Sequence, residues 1–198
     1  MDNDNANYTK LRFKFLLNKK NLINNKKKFQ SFFDKNCNFK ISIFIAIGFN
    51  YHRKIISEFL DSNFKTFFNY LTIISKQSNI SKNVKIGKGS IIMPGVSINT
   101  DSVIGKHSII NTNSSLDHHN NIGNFVSVAP GVNTGGYVKV RSGSHLGIGS
   151  NIKHNIIINN NSIIGAGSYV NINCKSNCIY YGLPIKFIRK RKVDESYL

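Results

Sequence analysis

The chain has 198 residues, 40% of them hydrophobic, and carries a formal net charge of +18 from 27 Lys and Arg against 9 Asp and Glu. That length admits one main domain and a small attachment, and that hydrophobic share excludes wholesale disorder. The charge points to anionic ligands, yet 22 of the basic residues are Lys and only 5 are Arg, whereas base and phosphate readout favours the Arg fork.

The crowding of Lys with Asn, Ile and Phe reads as the product of an AT-rich coding sequence, so nucleic-acid binding is not expected as the main function. The opening residues Met1-Asp2-Asn3-Asp4-Asn5 are polar and acidic, unlike a signal peptide. The longest apolar run, 41–49, is about half the ~20 residues of a membrane span. A cytoplasmic protein without a membrane span is expected. Cys37, Cys174 and Cys178 are odd in number and show no ligand spacing, so neither a disulfide framework nor a metal site is expected.

Four segments follow in chain order. Residues 1–40 carry ten Lys and Arg against three Asp and form a basic stretch with no assignable element. Residues 41–78 read as a small βαβ-like fragment: a buried strand over 41–48, a helix capped by Asn50 with Ile55, Ile56, Phe59 and Leu60 on its apolar face, and a second extended run over 64–74. Residues 79–178 hold a repeat, and residues 179–198 form a basic tail.

In the repeat an aliphatic residue returns every six positions: Ile80, Ile86, Ile92, Ile98, Ile104, Ile110, Leu116, Ile122, Val128, then Thr134, then Val140, Leu146, Ile152, Ile158, Ile164 and Val170. Four residues after each comes a second inward position, filled by Ser, Val or Cys except at Asn120 and Ile156. Neither a helix nor a plain strand sustains this pairing. A short strand and a turn use six residues as one flat side, and three sides close a triangular coil of 18. The expected fold is therefore mostly β, a parallel β-helix of hexapeptide repeats with a small, incomplete α/β amino-terminal segment.

The hexads resemble the left-handed β-helix of the hexapeptide acyltransferases. Four stretches narrow the resemblance: FIAIGFNYHRKII at 44–56, INTNSSLDHH at 110–119, IGNFVSVAPGV at 122–132 and YGLPIK at 181–186. Together they resemble the sialic acid O-acetyltransferases and the N-acetyltransferases of nucleotide-linked amino sugars. The chain departs from that family in residues 1–40, which show no opening strand or Gly-rich turn. The resemblance implies acetyl-CoA as acyl donor, a sugar or nucleotide-sugar acceptor in surface glycan biosynthesis, and a homotrimer with acyl-CoA held between neighbouring prisms.

The same resemblance assigns His118 as the catalytic base, with its pKa range suited to proton transfer at neutral pH. His119 stands where the family has an acid that orients the ring. Asp117 matches another acidic position of the motif, and Asp101 lies one coil below His119 by the 18-residue spacing, so either carboxylate is a candidate orienting group. Gly136, one coil above His118, matches the glycine whose N–H faces the thioester carbonyl. Ile148, Gly149, Ala166 and Gly167 match backbone positions along the pantetheine groove. Lys186 leads a basic cluster, Arg189 to Lys192, that reads as a solvated terminus or as a partner for CoA phosphates. His154, two coils above His118, is too far for shared metal ligation within one chain. The competing reading is a non-catalytic or decayed β-helix that acts as a basic binding module.

Overall fold

The computed structural model describes residues 19–38 and 41–197. The expected basic segment falls outside the described residues at 1–18 and 39–40; the rest of it is largely helix α1 (Lys19–Lys35). Strand β1 (Ile41–Ile43), helix α2 (Asn50–Phe64) and strand β2 (Phe68–Tyr70) follow, and β1 pairs with β2 in parallel. The order strand, helix, strand is that of the expected fragment, but residues 44–48 leave the sheet, and of the second run, 64–74, only 68–70 pairs with β1, since Phe64 ends α2 and 73–74 joins the coils.

From Ile73–Ile74 to Tyr169–Val170 the chain makes seventeen two-residue strands, three to a coil, or about six turns. The first rung thus lies ahead of residue 79, where the repeat was expected to begin. Strands stack in parallel with an 18-residue register on three faces. The first face stacks Ile80, Ile98, Leu116, Thr134, Ile152 and Val170. The second stacks Ile86, Ile104, Ile122, Val140 and Ile158. The third stacks Ile74, Ile92, Ile110, Val128, Leu146 and Ile164, then Tyr180.

From Ile92 to Ile164 these aliphatic residues are buried along the axis, each contributing about 1.5–3 kcal/mol by leaving water. The serines satisfy the backbone between coils. Ser90 Oγ donates to the Gly105 carbonyl at 2.7 Å and accepts the Ser108 N–H at 2.9 Å. Ser108 and Ser144 repeat the pattern on other coils. The last coil is two residues short: Ile158 pairs with Cys174, and Ile164 with Tyr180. Cys174 is therefore buried as an aliphatic rung and not as the second inward residue that the hexad count expects.

The three corners differ. The turn between first and second faces carries His118. The turn between third and first faces carries Ile148 and Gly149. The remaining corner is covered by α2. There Arg53, buried, donates from Nε to the His107 carbonyl (2.7 Å) and from Nη1 to the carbonyls of Ile47 and Gly48 (2.7 and 2.8 Å). Burial lowers its pKa to about 10. Asn50 is not the helix cap; Phe49 holds that position without a side-chain hydrogen bond. The Asn50 amide instead donates across the junction to the carbonyls of Gly143 (3.1 Å) and Ser144 (2.9 Å), and its oxygen accepts from the Ser127 hydroxyl. Beneath α2 a separate core gathers Phe33, Ile45, Ile56, Leu60, Phe64 and Phe68.

The expected basic tail is an ordered hairpin, Cys178–Gly182 against Ile185–Lys190. Tyr197 then returns to stack on His145 with centroids 4.3 Å apart, while its hydroxyl accepts the Asn50 N–H at 3.3 Å.

Two outcomes follow from the covered corner. Arg53→Met orphans buried carbonyls at about 1–3 kcal/mol each, so a calorimetric scan should show a lower Tm. Burial, the largest cause for each, lowers the pKa of both His107 and His145 to about 4. A histidine depressed in the folded state favours unfolding only when the unfolded chain takes the proton. Stability should hold above about pH 6.5 and fall between about 6.5 and 4, read as Tm against pH.

Candidate active site

His118 and His119 form the turn that joins Ser115–Leu116 to Asn121–Ile122. The 18-residue register places Gly136 and Tyr137 in the next turn above, and the Tyr137 N–H donates to the His118 carbonyl at 3.0 Å. The imidazole lies flat against bare backbone. A Cβ built on Gly136 would sit 2.6 Å from His118 Cε1 and 2.7 Å from Nε2. Only a glycine fits there without moving the ring. Its N–H makes no hydrogen bond among the described residues, while its carbonyl accepts from Asn155.

His118 Nδ1 lies 3.0 Å from His119 Nδ1. One proton serves that contact, so one ring donates and the other accepts. His119 adopts a left-handed backbone with φ of 56°, which turns its ring outward beneath Tyr137, stacked at 4.7 Å between centroids. Its far nitrogen, Nε2, faces Asp101 Oδ2 at 3.8 Å. Asp101 is also turned by a left-handed φ of 57° and accepts from Thr100 Oγ1 at 3.0 Å. His118, His119 and Asp101 thus run in series along one edge.

Asp117 takes a different place from that expected of an orienting acid. Its Oδ1 accepts from Asn99 Nδ2 (3.0 Å) and from the His118 backbone N–H (2.8 Å). The hydrogen bond from Asn99, then that from His118, holds its pKa below the ordinary carboxylate value. Asp117 shapes the turn, and the ring's polar neighbour is His119.

Ile148, Gly149, Ala166 and Gly167 gather on another corner. Gly149 and Gly167 share a left-handed φ of 65°, and a Cβ on either would meet nothing within 4 Å. With Ile148 and Ala166 exposed beside them, they leave a bare edge. A full face of the prism separates this edge from His118, so one chain does not bring the two groups together. Lys186 is exposed on the second strand of the terminal hairpin, paired with Tyr181, whose ring lies against Gly165 next to Ala166. On the His118 corner two coils up, Lys153, His154, Asn155 and Asn173 line a surface hollow. Among the described residues no three His, Cys, Asp or Glu side chains cluster closely enough to hold a metal ion.

Residue-by-residue reading missed Tyr137, whose only signal is its place 18 residues after His119. It also left unused the pairing of Thr134 with Asn120. Both interrupt the repeat, and Asn120 Nδ2, on the coil that carries His118, donates to Thr134 Oγ1, on the coil that carries Gly136, at 2.6 Å.

The sequence profile of the bacterial transferase hexapeptide family (six repeats) matches residues 83–118. Among solved structures the chain is similar to PerB from Caulobacter crescentus in complex with CoA and GDP-perosamine, at 30% identity over 75% of this chain and 70% of that one, with a TM-score of 0.72. A point mutant of the perosamine N-acetyltransferase from Caulobacter crescentus, also with CoA and GDP-perosamine, matches at 29% identity over 76% and 70%, with a TM-score of 0.72. WeeI from Acinetobacter baumannii AYE matches at 25% identity over 81% and 76%, with a TM-score of 0.72. No curated protein sequence matches significantly. With the hexapeptide profile inside the coils that carry His118, and a 30%-identical relative covered over more than two thirds of its length, the chain belongs to the hexapeptide-repeat transferases and is an acyltransferase of their left-handed β-helix type.

Proposed function

We propose that the chain transfers the acetyl group of acetyl-CoA to an amine or hydroxyl of a nucleotide-linked sugar, as a step in glycan assembly in the cytoplasm. The observation that carries this reading is the His118 imidazole packed on the side-chain-free Gly136, one coil above it. A base and an N–H donor without a partner among the described residues, a few ångströms apart, are the two groups acetyl transfer from a thioester needs. The CoA and GDP-perosamine bound in the PerB and perosamine N-acetyltransferase structures support the substrate class.

The chemistry follows from the ring contacts. For Nε2 of His118 to act as base, the proton on that ring must sit on Nδ1 and point at His119 Nδ1. His119 then carries its own proton on Nε2, toward Asp101. The acceptor's nitrogen or oxygen loses its proton to His118 Nε2 as it attacks the acetyl carbonyl. The Gly136 N–H donates to the oxyanion that develops, and the C–S bond breaks to release CoA as the thiol, with the proton returned from His118. His119 with Asp101 thus does the orienting work of a carboxylate through an extra ring. Asp117 stays ionised and holds the turn.

The bare edge at Gly149 and Gly167 suits a pantetheine arm, whose amides can meet exposed backbone. Since it lies on a different corner from His118, the complete site requires two copies. A homotrimer, with α2 covering the third corner of each prism, leaves both open corners available to neighbours. Lys186 on the hairpin suits a CoA phosphate.

Three measurements bear on this reading. His118→Ala should lower kcat by about 10²–10⁴-fold in an acetyl-CoA consumption assay across amino-sugar nucleotides and sialic acids, with the Tm kept; undiminished turnover removes His118 from the mechanism. Gly136→Ala needs no unusual φ, yet its methyl displaces the imidazole, so kcat should fall about 100-fold with an intact fold. His119→Phe removes the acceptor of the His118 Nδ1 proton while keeping a ring stacked beneath Tyr137, so kcat should fall about 10–100-fold in the same assay with the Tm kept. The groups facing the pair are Asp101, Asp117 and Tyr137.

A further inference from the structure

Two residues break the hexapeptide repeat near the site, and they touch each other. Thr134 stands where fifteen of the sixteen rungs have Ile, Leu or Val. Asn120 stands at an inward position that is Ser, Val or Cys on nearly every coil. Both are buried. Polar groups in such a core cost stability unless each is satisfied, and here each is. Asn120 Oδ1 accepts the Val138 N–H at 2.7 Å, and its Nδ2 donates to Thr134 Oγ1 at 2.6 Å and to the Asp117 carbonyl at 2.9 Å.

The pair also alters the ladder. On neighbouring rungs the residue after the strand donates its N–H to a backbone carbonyl of the next coil, Asn99 to Leu116 and Gly135 to Ile152, both at 2.9 Å. At Asp117 the N–H donates instead to Thr134 Oγ1 at 3.3 Å. Both backbone groups of Asp117 are therefore held by side chains: the N–H by Thr134, the carbonyl by Asn120 and by Ser102 Oγ at 2.9 Å. Asp117 immediately precedes His118, and Thr134 lies two residues before Gly136. The pair is a cross-brace between the two strands that lead into the imidazole and the bare amide.

We propose that Asn120 and Thr134 are positioning residues that set the seat of the His118 imidazole on Gly136, an inference that rests on the acetyl-transfer reading of that site. They touch no substrate; they act through the Asp117 peptide. A regular rung would serve the fold as well, since serines at equivalent positions satisfy the coils elsewhere and an aliphatic residue at 134 would fill the axis. The polar pair serves the turns that carry His118 and Gly136.

The test restores the repeat. Asn120→Ser with Thr134→Val gives each position the residue type that its register uses elsewhere. The double variant should fold with a Tm equal to or above that of the parent. Its kcat should fall about 10-fold or more while the KM for acetyl-CoA stays within about twofold, because a displacement on the order of 1 Å at the reacting groups costs rate and not donor binding. Thr134→Ser keeps the hydroxyl and should retain kcat, whereas Thr134→Val alone should lose it. Imidazole nitrogen shifts of His118, read by NMR, should differ between parent and double variant, and this signal needs no turnover. If the parent acetylates nothing while the shifts still move, the acetyl-transfer reading fails and the brace stands. If kcat and the His118 shifts are both unchanged in a folded double variant, the brace is refuted.

Discussion

Parallel strands in a sheet lie about 4.8 Å apart, and in the coils of this molecule, from Ile73–Ile74 to Tyr169–Val170, every strand is two residues long. Stacking at that distance is the constraint on which everything else rests. A two-residue strand has little pairing of its own. It persists because the coil above repeats it in register, with each N–H and carbonyl satisfied vertically and each aliphatic side chain seated on the one below. The interior is consequently a set of columns, Ile98 on Leu116 on Thr134 and so on, rather than a conventional layered core. A change at one position is felt by the residues 18 before and after it.

The same columns create the site. Turn residues stack as rigorously as strand residues, so a histidine in one turn meets whatever occupies that turn one coil later. His118 meets Gly136, and His119 meets Asp101 below and Tyr137 above. The left-handed backbone at Asp101, His119 and Tyr137 aims these side chains out of the same edge. A scaffold that repeats so regularly holds functional groups at fixed spacing, and the exceptions to its regularity, Asn120 and Thr134, fall on the two coils that carry His118 and Gly136.

The amino-terminal unit gives the three-cornered prism its asymmetry. Arg53 and Asn50 satisfy turn carbonyls on one corner, where an isolated β-helix would leave them to water. With that corner covered, the edge bearing His118 and the edge bearing Gly149 remain, on opposite sides of one face. Apposition of these two edges between copies is the geometric basis of the trimer proposed above.

Much of this was legible in the sequence, because a six-residue period has one structural solution and the 18-residue arithmetic is integral. The aliphatic series gave the columns, and adding 18 to 118 and subtracting 18 from 119 found Gly136 and Asp101. Arithmetic could not see where the period slips. The last coil is two residues short, which moved Cys174 onto the rung of Ile158, and only the closure of the coil against the hairpin decides such a deletion. Nor could it say that Asp117 would turn to the backbone while His119 met the ring. Neighbouring side chains on one turn compete for the same few groups, and rotamers and backbone φ settle that competition in three dimensions. The role of Asn50 was likewise decided by tertiary contact: at a helix start it reads as a cap, but the carbonyls of Gly143 and Ser144, over 90 residues away, claim its amide. Local sequence determined the period, the columns and the candidate base. The long-range hydrogen bonds, which no local pattern encodes, decided the partners.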